Sequence, residues 1–184
     1  MKQIAILSSS VRNGRLSHRV ALYLKRFLEE YQLVKADILD LKEYNFPLFE
    51  ERLVYQPTPS EKLLDFTEHL NRADGLIIVT PVYNASFPAS LKNVIDLYFE
   101  EWKRRPVGVV SVTSGKVSGI ATLQEVQVLL LKLGAWVVPK LSTVTNVGEE
   151  FTPDGNAVNK ETAEKTLLPM VEELIWMIEK CSAR

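Results

Sequence analysis

Short apolar runs alternate along the chain with longer stretches in which apolar residues recur every three or four positions. Gln3–Ser8 (QIAILS) is the first run and predicts a strand. After a polar stretch from Ser9 to Ser17, the residues Val20, Leu24, Phe27, Leu28 and Tyr31 fall on one face of a helix. Val34–Leu39 predicts a second strand, and its charges at Lys35 and Asp37 suit the edge of a sheet. Residues 42–60 carry Pro47, Pro57 and Pro59, which oppose regular structure, so a loop is expected there. Ser60 is placed to cap a helix bearing Leu63, Phe66 and Leu70. Gly75–Thr80 (GLIIVT) is apolar almost throughout, as in a strand covered on both faces. Beyond it the pattern predicts a helix from Pro88 to Trp102, a strand over Val107–Thr113 and a helix over Gly119–Leu133. A fifth strand is expected over Ala135–Pro139, then a last helix over Glu161–Lys180. That helix presents Leu167, Met170, Val171, Leu174 and Ile178 on one face, and Pro169 either kinks it or marks its start.

Five strands alternating with five helices imply parallel crossovers and an α/β fold, a three-layer αβα sandwich. The strand count favours a five-stranded parallel sheet of order 2-1-3-4-5 over the six-stranded dinucleotide order. The 184 residues contain no repeat and no Gly/Ser linker, which suits a single domain over 1–184. In such a sheet ligands bind beyond the carboxyl ends of the strands, so the loops after Ser8, Thr80 and Thr113 are the place to look for chemistry.

The first loop, Ser8–Ser17 (SSSVRNGRLS), runs from a strand into a helix. A helix N-terminus offers unpaired N–H groups and the positive end of the dipole. Serine hydroxyls and the forked guanidiniums of Arg12 and Arg15 would complete a phosphate cradle, although the same residues also serve as ordinary turn and cap chemistry. The second loop, Thr80–Pro88 (TPVYNASFP), adds Tyr83, Phe87 and free amides around Asn84, suited to a flat heteroaromatic ligand or to plain packing. The third, Thr113–Gly119 (TSGKVSG), lets backbone approach a ligand through its glycines.

Charge and missing motifs narrow the choice. With 22 basic against 23 acidic residues the net charge is −1, so no strong field favours nucleic acid or an anionic membrane. No apolar run is long enough to span a bilayer, and the run after Met1 is too short for a secretory leader. Cys181 is the single cysteine, which excludes an intramolecular disulfide or a thiolate metal site and suits a cytoplasmic setting. His18 and His69 are isolated, so no metal site is expected. Neither G-x-G-x-x-G nor the P-loop pattern is present. Lys103–Arg105 predicts a solvated basic helix end.

Ser10-Val11-Arg12 followed by Ser17 resembles the S-x-R…S phosphate loop of the NADPH-dependent FMN reductase family, a branch of the flavodoxin-like fold. Pro81–Pro88 with Leu91-Lys92-Asn93-Val94-Ile95-Asp96 is similar to that family's P-E-Y-N-x-x-x-P…L-K-N-x-I-D signature, and Pro47-Leu48-Phe49 to its short segment after the second strand. The resemblance extends from Lys2 to about Leu174. It departs at Val82, where the family has Glu, and at Ser9, where it has Gly.

The resemblance implies that Ser10, Arg12 and Ser17 hold the FMN phosphate, with Arg15 or His18 assisting. It places Pro81, Val82, Tyr83 and Asn84 along the isoalloxazine and Ser114 and Gly115 across from them. The implied activity is hydride transfer from NADPH or NADH through flavin N5 to a small-molecule acceptor, such as a quinone, azo, nitro, chromate or free flavin. No acid/base side chain is required for that chemistry. A non-enzymatic FMN electron carrier of the flavodoxin type is the alternative, and it would call for an acidic docking face. The resemblance further implies a homodimer or homotetramer. Leu91, Ile95, Tyr98, Phe99 and Trp102 give the fourth helix more apolar surface than one sheet face needs, so part of it is expected to form the interface.

Overall fold

The computed structural model describes residues 2–30 and 34–182. Tyr31, expected on the first helix, lies outside them. Strands β1 (Lys2–Ser8), β2 (Val34–Asp40), β3 (Gly75–Pro81) and β4 (Pro106–Val112) lie parallel with the short β5 (Trp136–Val137) in the order β2-β1-β3-β4-β5. The order expected from the pattern is the one observed. The charged β2 is indeed an edge, while β3 and β4 are buried along their whole length.

Alternating side chains divide the core in two. Ile4, Ile6, Ile77, Val79, Val110 and Val112 face the layer formed by α1 (Ser17–Glu30), the one-turn α6 (Val147–Glu150) and α7 (Lys160–Ser182). Ala5, Leu7, Leu76, Ile78, Val107 and Val109 face the layer of α3 (Glu61–Arg72), α4 (Ala89–Leu97) and α5 (Ile120–Lys132). Ser60 caps α3 as its position predicts, its hydroxyl accepting from the Leu63 amide at 3.3 Å.

Three local expectations change, and the alternative left open at Pro169 is settled. The fifth lane of the sheet is split: β5 pairs with Pro106–Val107, and a sixth strand, β6 (Ser142–Val144), pairs with Val110–Val112 farther along β4. Pro139, which lacks an N–H, lies between the two pieces. The segment 42–60 contains the one-turn α2 (Leu41–Tyr44) and a 3₁₀ turn over Leu53–Tyr55. Helix α7 begins at Lys160 and runs through Pro169, which therefore does not start it. Helix α4 ends at Leu97, and the chain turns inward through a 3₁₀ turn over Glu100–Trp102.

That last turn buries most of the surface expected at an interface. Leu91, Ile95, Tyr98 and Trp102 are all buried within the chain, and Phe99 alone of the five is partly exposed. Trp102 Nε1 donates to the Ile95 carbonyl at 3.2 Å, which also accepts from the Tyr98 amide at 3.4 Å. Arg105, expected to be solvated, is half-buried: it donates to the carbonyls of Leu70, at 3.0 Å, and Ala73. Among the described residues, no helix is long and apolar enough to cross a membrane.

Candidate functional site

Because all strands run parallel, the three loops emerge at one edge of the sheet. They enclose a cleft of about 560 Å³, within the usual ligand-site range of ~300–1,000 Å³. Of the residues expected at a site, Arg12, Arg15, Ser17, Pro81, Val82, Tyr83, Ser114 and Gly115 line it together. Ser10, His18 and Asn84 do not, although Ser10 and His18 belong to the scaffold directly behind it.

The first loop is held almost atom by atom. Ser9 donates to the Val79 carbonyl through both its amide, at 3.1 Å, and its hydroxyl, at 3.0 Å, and its own carbonyl accepts from Ser90 Oγ at 2.6 Å. Ser10 Oγ lies 2.6 Å from Tyr83 Oη, joining the first loop to the second. Ser8 Oγ lies 3.0 Å from His18 Nδ1. Burial lowers the His18 pKa from its usual value, against the opposing pull of Asp40. Ser8 and Ser9 thus serve the scaffold, which corrects the picture of three early hydroxyls all facing an anion.

The two arginines differ. Arg15 donates both η nitrogens to the Asp40 carboxylate, with 12% and 4% of the two side chains exposed, and Arg15 Nη1 also reaches the Ser10 carbonyl at 2.6 Å. It is part of the wall. The Arg12 guanidinium is exposed at the cleft and forms no hydrogen bond or ion pair among the described residues. Ser17 opens α1, and its Oγ is buried with no hydrogen-bond partner, so it does not act as the helix cap. Ser111 and Thr122 also have unpartnered buried hydroxyls, but neither lines the cleft.

In the second loop Tyr83 and Ser86 exchange amide–carbonyl hydrogen bonds at 2.8 and 3.0 Å, closing a two-residue hairpin. Asn84 and Ala85 take φ of 51° and 63° at its tip, the left-handed pair of a type I′ turn. Val82 reaches the start of α5. A Cβ on Gly119 would lie 2.7 Å from Val82 Cγ2 and 2.8 Å from Ser111 Oγ, so only glycine permits this approach. The third loop is tied through backbone: the Asn146 amide donates to the Gly115 carbonyl at 3.0 Å and the Val147 amide to that of Thr113 at 3.1 Å. Ser114 to Ser118 are exposed.

Every charged side chain lining the cleft, Arg12, Arg15 and Lys116, is basic. The arrangement is a cationic, helix-capped pocket continuous with a slot between two loops, fit for an anion attached to a flat body. Among the described residues, no group of three His, Cys, Asp or Glu is placed to hold a metal. A family model for the NADPH-dependent FMN reductases matches residues 1–149. The chain belongs to that family.

Among FMN reductases, the NAD(P)H-dependent FMN reductase LOT6 of Saccharomyces cerevisiae is 28% identical over 177 residues, covering 86% of this chain and 92% of the relative. A quinone reductase of Pseudomonas putida is 31% identical over 136 residues, 71% of this chain and 70% of the relative. The fold agrees with FerB, a flavoenzyme NAD(P)H:(acceptor) oxidoreductase of Paracoccus denitrificans, at a TM-score of 0.77 and 22% identity over 98% of both chains.

The sequence did not single out Val147 at the cleft or Asp40 behind it. An acidic residue closing a charged edge strand was the available signal for Asp40; nothing marked Val147.

Proposed function

We propose that the cleft holds FMN and that the protein is an NAD(P)H-dependent FMN oxidoreductase delivering electrons to a small organic acceptor of the quinone or flavin type. The observation that carries this is Ser17 Oγ, buried without a partner at the N-terminus of a 14-residue helix and lining one cleft with the free guanidinium of Arg12. A buried hydroxyl left unpaired costs about 1–3 kcal/mol, and a phosphate oxygen there would recover it.

Arg12, Ser17 and the open amides of α1 bind the phosphate. Tyr83, positioned by Ser10, and the backbone of Ser114–Gly115 flank the ring system. The amides of Asn84 and Ala85 have no acceptor among the described residues and sit at the hairpin tip, available to the polar edge of a ring. When bound, FMN supplies the redox chemistry, accepting a hydride and releasing electrons singly or in pairs. The side chains bordering the cleft position and exclude; none is a carboxylate, imidazole or thiol. A reducing cytoplasm and assembly as a homodimer or homotetramer belong to the same proposal. The exposed Leu48 and Tyr55 of the 45–59 segment support assembly, which sedimentation would measure.

The test is a visible spectrum of the purified protein with FMN, followed by NADPH without oxygen. Bleaching of bound flavin within seconds is expected. Bound flavin that neither NADPH nor NADH bleaches makes the protein an electron carrier, and no bound flavin overturns the assignment.

A further inference from the structure

We propose that Asp40, which lies outside the cleft, is a positioning residue that sets the site's preference for a phosphorylated flavin by locking Arg15 onto the backbone of the first loop. This rests on the FMN assignment above and extends it to a residue that touches no ligand.

An anion cradle works only if the carbonyl oxygens of its loop are directed elsewhere, because each carbonyl dipole repels phosphate. Here both carbonyls that precede Val11 are occupied by donors: that of Ser9 by Ser90 Oγ and that of Ser10 by Arg15 Nη1, each at 2.6 Å. The second tether is strong only while Arg15 stays in place. Its stem is flexible, and its position is fixed by the paired hydrogen bonds from both η nitrogens to the Asp40 carboxylate. Asp40 is itself immobile. It ends the paired stretch of β2, opposite Ser8 of β1, is 3% exposed, and accepts the Lys42 amide at 3.0 Å through Oδ1.

The pairing has a second effect. Asp40 neutralises Arg15 and keeps it in the wall, which leaves Arg12 as the mobile cation of the first loop. The phosphate then meets one free guanidinium and a set of fixed donors rather than two competing arginines. Riboflavin, which has the same rings and no phosphate, would gain nothing from this device.

The experiment measures dissociation constants of FMN and riboflavin for the apo-protein by flavin fluorescence, in the wild type and in Asp40→Asn. The wild type is expected to prefer FMN. Asp40→Asn is expected to weaken FMN about tenfold, in line with a lost charge-assisted network, and to leave riboflavin within about twofold. The double variant Asp40→Asn/Arg15→Gln removes the pair without leaving a buried charge unmatched and keeps the question answerable if the single variant fails to fold. Its FMN-to-riboflavin ratio is expected to fall by the same factor as in Asp40→Asn, because the two residues act as one unit. An unchanged ratio in the variants overturns the proposal, and so does tighter FMN binding in Asp40→Asn, which would make Arg15 a restrained phosphate ligand. A wild type that binds FMN no better than riboflavin overturns the site assignment itself, a failure visible before any variant is made.

Discussion

The first and third loops border the same cleft and leave the same edge of the sheet, yet they are built in opposite ways. In the first, Ser8, Ser9, Ser10 and Arg15 all spend their side chains on neighbours, and three of the four are fully buried. In the third, Ser114 to Ser118 are exposed, and the loop is held by backbone hydrogen bonds to residues 144–147 and by Thr113 Oγ1, which donates to the Gly115 and Val117 carbonyls at 3.0 and 2.9 Å. A wall fixed by side chains can recognise one anion with little ordering cost on binding. A wall whose exposed side chains are not committed to neighbours leaves room for substrates that arrive and leave. Under the proposed FMN assignment, the first loop would retain the cofactor and the third would exchange reactants.

The sharpest way to break this contrast is Arg12→Ala. Loss of the free guanidinium should weaken FMN by about a hundredfold at most and about tenfold at least, the range for hydrogen bonds to a charged group, with riboflavin unaffected in a fluorescence titration. Equal losses for both ligands would mean that Arg12 supports the loop and not the phosphate. Gly119→Ala tests the third loop's one tight packing point. The added methyl meets Val82 and Ser111, and overpacking of this kind should cost about 1–3 kcal/mol in urea unfolding. Ser17→Ala should weaken FMN by about five- to tenfold while leaving the apo-protein equally stable or slightly more so, since the hydroxyl removed has no partner to lose. A drop in apo-protein melting temperature would instead give Ser17 a structural role.

The smallest expected effect concerns His18. Burial lowers its folded pKa below the usual imidazole value of 6.5, so the unfolded chain binds the proton more readily. Its neutral form therefore favours folding fully above pH 6.5, and that contribution declines as pH falls below 6.5 toward the lowered folded value. His18→Gln should flatten the loss of stability in that acidic window, as followed by denaturant midpoints. An unchanged pH profile would show that His18 titrates alike in both states.

The sheet was legible because its central strands are unbroken apolar runs, and the charges of β2 marked an edge. β6 was not, since Ser142-Thr143-Val144 is short and two-thirds hydroxylic; its strand character comes from pairing with β4. The apolar spacing from Leu91 to Trp102 persists past the end of α4 because the following turn buries the same face by another route. That Arg12, Ser17 and Tyr83 would share one cleft was readable from their loops. The diversion of Arg15 to Asp40 was not, for it joins residues 25 positions apart that only the β1–β2 pairing brings together.

That ion pair also connects the first loop to the outermost strand. β2 has an open side, and an open strand side is where a sheet is most prone to pair with foreign chains. A ligand that stabilises the first loop therefore draws β2 more firmly into the sheet, by ordinary mass action. Flavin supply would then govern the lifetime of the polypeptide as well as its activity: a cell short of FMN would hold copies whose borders fray, degrade and aggregate sooner.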